Sequence, residues 1–215
     1  TDDMLSLARH NAPLVADNIG YANVEFRKGR IQDLALDLEK LDEELINRPL
    51  NGLRGYLEAE QIAARLRTES PMIASNSIDV VISNCVLNLV DHIAKRQMFA
   101  ELIRVLKPGG RAVISDIVSD SDVPPAMQSD PELWSGCISG ALREDRFIRA
   151  FSNAGFDPVQ IITRSEKPWR SVNNIEFRSA TVGAVKRKKS GGSFFMPTSD
   201  QIPLVQTESC GPSCC

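Results

Sequence analysis

No stretch of the 215 residues is long and apolar enough to span a bilayer, and no secretory signal is visible. The chain also lacks any Gly-x-Gly-x-Gly arrangement, the tight loop that lets a backbone approach a nucleotide. Histidine is scarce: His10 and His92 are the only two, and neither stands at metal-ligand spacing from a cysteine, which argues against a structural zinc site. A basic excess is missing as well. With 25 Lys and Arg against 28 Asp and Glu the net charge is -3, which removes the electrostatic case for nucleic-acid binding. The one basic run, Lys186-Arg187-Lys188-Lys189, has no interleaved aromatics and reads as a solvated domain end. Five cysteines is an odd count, three of them lie in the last six residues, and none follows the spacing of a secreted disulfide scaffold. The expected setting is therefore reducing and cytoplasmic, with neither membrane nor nucleic acid as partner.

What is present is an alternation of strand and helix patterns. Thr1-Asp2-Asp3-Met4-Leu5 reads as a capped helix start, with acids in the first turn and Met4, Leu5, Ala8 and Ala12 as an apolar stripe. The chain does not open on methionine and begins directly in this helix, so we expect a strand before Thr1 and read the sequence as a fragment or processed form. Asn23–Gly29 alternates like a short strand, followed by a loop at Ile31-Gln32-Asp33-Leu34. Residues 35–77 are polar, with a helical insertion expected around 56–67. Ile78–Ser83 is a β-branched run expected to be a strand buried on both faces. A helix is expected from His92 to Leu106, with Ile93, Phe99, Leu102, Ile103 and Leu106 on its apolar face, stopped by Lys107-Pro108-Gly109-Gly110. Strands at 112–118, 159–164 and 177–185 and a helix at 144–153 complete the pattern, which argues for a parallel, doubly wound α/β sheet. From 187 onward all periodicity is lost, and the segment reads as a linker or disordered arm ending in Cys210-Gly211-Pro212-Ser213-Cys214-Cys215.

The order strand, helix, Leu106-Lys107-Pro108-Gly109-Gly110, strand resembles the second half of the class I methyltransferases that use S-adenosylmethionine. Four segments narrow the resemblance to arsenite methyltransferases over residues 1 to about 186: Ile82–Leu89, Ile114–Val118, Asp130–Leu142 and Ala154-Gly155-Phe156. The resemblance implies an α/β fold with a class I methyltransferase (Rossmann-like) sheet lacking its first strands, a small substrate-binding insert and a disordered C-terminal tail. The corresponding domains are 1–118, a partial S-adenosylmethionine-dependent core; 119–186, the substrate-binding region and last strands; and 187–215, the linker and cysteine-rich tail.

By the same resemblance Cys85 and Cys137 match the arsenic-binding cysteines. Thiolates suit this task because polarizable sulfur binds soft centres tightly, whereas oxygen ligands favour hard cations. Trivalent arsenic keeps a lone pair and takes up to three thiolates, so two protein thiolates can hold it with the lone pair aimed at an electrophilic methyl. No general base is needed, and most of the rate would come from positioning. Taken alone, a buried cysteine is more commonly a small hydrophobe, and the matching context around both is what favours the ligand role. Cys210, Cys214 and Cys215 suit metalloid capture or regeneration of the site thiols, and an idle exposed terminus explains them equally.

The cofactor implied is S-adenosylmethionine. Ile31 is expected to pack on its adenine; Asp33 could accept a hydrogen bond there or simply be solvated; Met4 could touch the adenosine or belong to the helix face; Asn84 borders the cleft. Asn88 is assigned to satisfying backbone groups in the turn after the strand. Asp116 reads as either a strand-end cap or a site acid, and Trp134 as packing or a pocket wall. Implied partners are arsenite or its thiol conjugates and a reductant of thioredoxin or glutathione type. Two other functions fit the residues taken alone: a methyltransferase for a carbon or oxygen nucleophile, which would need a base, and a non-catalytic metalloid-binding module. A sheet without its first strands exposes edges and apolar surface. The isolated chain should therefore be poorly stable or aggregate, and a cooperative thermal transition at ordinary temperature would contradict this.

Overall fold

The computed structural model describes residues 1–188 other than 47, 49 and 50. The expectations for the tail, including Cys210, Cys214 and Cys215, lie outside the described residues. The chain divides into two compact units, Thr1–Ala74 and Ser75 onward. The boundary read from sequence at 118/119 falls within the second unit, where Arg111–Ser119 pair with the strand ending at Lys186.

The first unit is helical. Helix α1 (Asp2–Ile19) is capped by Thr1, whose hydroxyl accepts from the Met4 amide, and ends at Gly20 in the left-handed region. Leu5, Ala8 and Ala12 form its half-buried stripe, while Met4 lies off it at 64% exposure. Helix α2 (Leu38–Leu45), which the sequence reading left as polar connection, starts at Asp37, whose carboxylate accepts from two amides of the first turn. Helix α3 (Gly52–Glu69) is the expected insertion, and its Ile62, Ala63 and Leu66 bury against Leu36. The strand expected at Asn23–Gly29 does not form. The Phe26 carbonyl accepts from the Arg9 guanidinium and the Lys28 carbonyl accepts from the Leu38 amide, so these groups are used in loop contacts rather than a ladder.

The second unit is a sheet with helices. Strand β1 (Ile78–Asn84) leads through a 3-10 turn at Leu87–Leu89 to α4 (Lys95–Val105), then to the long β2 (Leu106–Ser119). Two short helices, α5 (Pro125–Gln128) and α6 (Pro131–Ser135), precede β3 (Leu142–Arg143) and α7 (Glu144–Ala154). Strands β4 (Phe156–Arg164), β5 (Arg170–Val172) and β6 (Ile175–Lys186) close the unit. The order is β1-β2-β6-β4, with β3 on β2 and β5 on β6. β1 and β2 are parallel, but β6 runs antiparallel to both β2 and β4. The sheet is therefore mixed rather than parallel, because β4 and β6 approach as antiparallel neighbours with β6 inserted between β2 and β4.

One face of this sheet, with Ile114, Val182 and Ala184, is fully buried, and Phe99, Leu102 and Phe151 of the helices are buried with it. Phe151 stacks edge-on against Phe99, Phe147 and Phe156 at centroid distances of 4.9, 5.4 and 5.7 Å. Each such ring contributes roughly 1.5–3 kcal/mol by burial. Lys186 is not the solvated residue expected: its ammonium donates to the Ile103 and Leu106 carbonyls, at the end of α4, and to Asn76. The helix expected from His92 begins at Lys95, because the Asp91 carboxylate accepts from the Ile93 amide in a turn, and Ile93 is 89% exposed. Helix α4 ends at Val105, directly before Lys107–Gly110 as expected, and those residues belong to the opening of β2.

Strand β1 departs most from expectation. Among the described residues it pairs only with β2, and Ile82 is 77% exposed, so it is an edge strand half-buried on one face. Its β-branched composition matches a second covered face that the described residues do not supply. An exposed apolar edge of this kind templates association between copies. Ile82→Lys should accordingly slow aggregation of the isolated chain, measured by light scattering, while changing stability by less than about 0.5 kcal/mol. Unchanged scattering would mean that this edge is not what associates.

Candidate functional site

The two cysteines singled out from sequence are neighbours. Cys85 follows directly on β1, its amide donating to the Ser115 carbonyl at the adjoining position of β2 (3.0 Å). Cys137 follows α6, which is started by Asp130 accepting from the Glu132 and Leu133 amides. The Cys137 thiol points at the Cys85 carbonyl oxygen, 3.8 Å away. Cys137 is buried at 4% exposure among Ile117, Met127, Ile138 and Phe177, and the half-buried Cys85 packs on the same cluster.

Both cysteines have left-handed backbones, φ 52° at Cys85 and 59° at Cys137. The other positive-φ residues besides glycine among those described are Asn76, Asn173 and Asn174. Asparagine visits this region readily; cysteine does not, and the conformation costs it roughly 1–2 kcal/mol. Strain of this kind persists only where the surroundings over-determine it, and it concentrates at functional sites.

Those surroundings are a buried polar network. Asp116, 1% exposed on β2, accepts from the Ile117 amide (2.8 Å), the Asn88 amide (3.2 Å) and the Leu87 amide. Burial pushes its carboxyl up from the ordinary aspartate value, and the amide donors oppose that shift. Asn88 donates from its side chain to the Ile117 carbonyl (2.7 Å) and to the Cys137 carbonyl (3.2 Å). Asn88 thus satisfies backbone groups as expected, but on two different segments. His92 Nε2 lies 3.1 Å from the Ser139 carbonyl, and its ring meets Trp134 edge-on at 6.0 Å. Ser139 donates to the Met127 and Asp130 carbonyls.

Lys95, missed in the sequence, is buried beneath this turn and donates to the Val90 carbonyl (2.6 Å). Desolvation lowers its pKa to about 8, with Asp116 and Asp91 acting the other way. A lysine two residues beyond an exposed isoleucine gave no signal of burial. Asn84, at the C-terminal end of β1, is exposed. In the first unit, Ile31 is half-buried and Met4 exposed. Asp33 is not simply solvated: Arg67 holds its carboxylate at 2.9 Å, at a cleft of about 360 Å³ also lined by Leu36, Tyr56 and Ala63. Among the described residues no group of three or more His, Cys, Asp or Glu could hold a metal ion, and no helix is long and apolar enough to cross a membrane.

A family model for a methyltransferase domain matches residues 57–155. An arsenite methyltransferase of Halobacterium salinarum is 39% identical over 110 residues, 51% of this chain and 28% of that protein. The human arsenite methyltransferase is 29% identical over 188 residues, 83% of this chain and 47% of its own. The crystal structure of an arsenic(III) S-adenosylmethionine methyltransferase from Chlamydomonas reinhardtii superposes with a TM-score of 0.62 at 28% identity, covering 87% of this chain and 53% of that one. Over these stretches the chain is similar to arsenite methyltransferases. Its mixed sheet, with β6 reversed between β2 and β4, is the class I methyltransferase sheet, and the Bacillus YcgJ protein shares the fold at a TM-score of 0.52 and 14% identity. The chain spans between about a quarter and a half of the length of these curated arsenite methyltransferases.

The depressed Lys95 pKa has a definite sign. Between about 8 and the unfolded value of 10.5 the folded state binds fewer protons than the unfolded one, so stability rises with pH through that window and the penalty is complete below it. The 13Cε resonance of Lys95 should titrate with a midpoint near 8; a midpoint near 10.5 would show that the ammonium is solvated.

Proposed function

We propose that this chain takes part in methyl transfer from S-adenosylmethionine to thiol-bound trivalent arsenic, with Cys85 and Cys137 as the arsenic ligands. The observation that carries the reading is the meeting of the two cysteines: two strained, left-handed thiol positions on separate segments, with the Cys137 thiol 3.8 Å from the Cys85 backbone. They stand at the C-terminal end of β1, where open α/β sheets bind ligands. The chain's likeness to arsenite methyltransferases gives the same chemistry.

The role of the chain's residues is holding and aiming. Each thiol gives up its proton and displaces an oxygen ligand from arsenic, so two sulfurs fix the metalloid on two loops and leave its lone pair directed outward. The apolar cluster behind Cys137 excludes water from one side of the bound metalloid. Bound S-adenosylmethionine supplies an electrophilic sulfonium methyl. Asn84, exposed at the strand end, suits a polar contact to it, and the half-buried Ile31 suits an apolar one. Asp33 is engaged by Arg67 and Met4 is exposed, which makes them weaker candidate contacts. No base is required, in keeping with Asp116 being occupied by three amide donors.

Methylation formally oxidises arsenic by two electrons. Return to the trivalent state can draw those electrons from a pair of thiols, leaving a disulfide that a reductant of thioredoxin or glutathione type reopens. We assign the activity to arsenic detoxification in a cytoplasmic setting, with Cys210, Cys214 and Cys215 as further candidate arsenic ligands.

The test compares arsenite binding, and methyl transfer from labelled S-adenosylmethionine, for this chain and its Cys85→Ser and Cys137→Ser variants under reducing conditions. Because a second thiolate acts at high effective concentration once the first is bound, either substitution should weaken arsenite binding by roughly 100-fold or more. If binding falls only when Cys210, Cys214 and Cys215 are replaced, the core site is refuted.

A further inference from the structure

The two cysteine loops belong to segments 52 residues apart in sequence and carry no disulfide between them, so something else must set the separation of the thiols. Besides the Cys137 thiol on the Cys85 carbonyl, contacts at Asn88, His92 and Gly140 join the loops. The Asn88 amide group bridges the Ile117 carbonyl of β2 and the Cys137 carbonyl, at 2.7 and 3.2 Å. His92 bonds the Ser139 carbonyl at 3.1 Å. Gly140 packs its backbone directly on that of Asn88: a Cβ at position 140 would lie 2.7 Å from the Asn88 carbonyl carbon and closer still to its oxygen. No positive φ requires glycine there, so the close approach is the reason this position tolerates no side chain.

We propose that Asn88 and Gly140 form a latch that seats the Cys137 loop on the Cys85 loop and fixes the two thiols at the spacing of a single trivalent arsenic. This rests on the two-thiolate reading above and deepens it. Asn88 and Gly140 are positioning residues and touch no reacting atom. Asn88 suits the part because its own amide is tied to Asp116, so its side chain reaches outward from a fixed backbone. With the latch intact, arsenic meets two thiols already paired in space. With it broken, the same two As–S bonds must also order the Cys137 loop, and affinity falls by the population of the seated state.

A monophenyl arsenic(III) dihydroxide is the probe, because it accepts two thiolates and no third. Two As–S bonds form, two As–O bonds break, the thiol protons leave with the hydroxides as two waters, and arsenic does not change oxidation state. The full chain is used with Cys210→Ser, Cys214→Ser and Cys215→Ser, so that only core thiols respond. Asn88→Asp removes the donor at nearly constant shape, and Gly140→Ala is a chemically unrelated wedge at the same contact. Each should weaken binding of the probe by roughly tenfold, and neither should change the weaker binding that remains in a Cys137→Ser background. Equal weakening in both backgrounds would mean general loosening of the fold and would overturn the latch, as would no weakening in either. If Cys137→Ser alone leaves affinity unchanged, the two-thiolate site itself fails, a result that does not depend on Asn88 or Gly140.

Discussion

Asp116 is the group on which the second unit's working end depends. A carboxylate 1% exposed is costly to bury, and what holds it there is a set of backbone amides from Leu87, Asn88 and Ile117. The relation is reciprocal: the turn after β1 leaves orphan amides that would otherwise be unsatisfied, and the carboxylate collects them. Cys85 precedes this turn and is itself bonded to the Ser115 carbonyl, one residue before Asp116. Three consecutive residues of β2 therefore anchor the loop that carries the first thiol. β2 can act as such an anchor because it is paired on both sides, by β1 and β6, and has little freedom of its own.

The second thiol is placed by a different kind of structure. Residues 120–141 contribute only two short helices, but Val123, Met127, Cys137, Ile138 and Ala141 bury against Ile117, Ile175 and Phe177. The position of the segment is also fixed by caps and side-chain bonds to carbonyls: Asp130 on α6, Ser139 on Met127 and Asp130, Asn88 on Cys137. The second thiol is thus seated by an apolar cluster together with polar bonds, each of these worth about 1 kcal/mol net, where the first is seated at the end of a strand ladder.

Legibility in the sequence followed how local each signal was. The Thr1 cap, the α7 and β6 periodicities and α3 are set by residues within one or two turns, and they appear where the pattern puts them. The Asn23–Gly29 strand failed because alternation reports two faces but not a partner, and Arg9 and Leu38 took carbonyls a ladder would have used. The reversed β6 was invisible for the same reason, since side-chain alternation is identical in parallel and antiparallel pairs. The cysteines were legible only through their surrounding context. Neither their positive φ nor the contact between them could be read from spacing, because both are consequences of long-range packing. Lys95 and Gly140 carried no signal at all: a lysine at a helix start and a glycine in a Ser-Gly-Ala run are ordinary on a surface, and only the fold buries the first and presses the second onto Asn88.

The proposed chemistry would account for a site poor in titratable groups that act and rich in groups that hold. A nucleophile with a protonated heteroatom needs a base close by with a matched pKa. In the proposed reaction arsenic would attack with a lone pair it already has, so a carboxylate near the thiols is free to serve the backbone, as Asp116 does. Precision would then rest on distance and direction, for which Asn88, Gly140 and the two left-handed cysteines are the proposed determinants, and not on proton affinity. The strain at Cys85 and Cys137 fits this division: on that reading it would be a fixed cost of aiming two sulfurs from two directions at one soft centre.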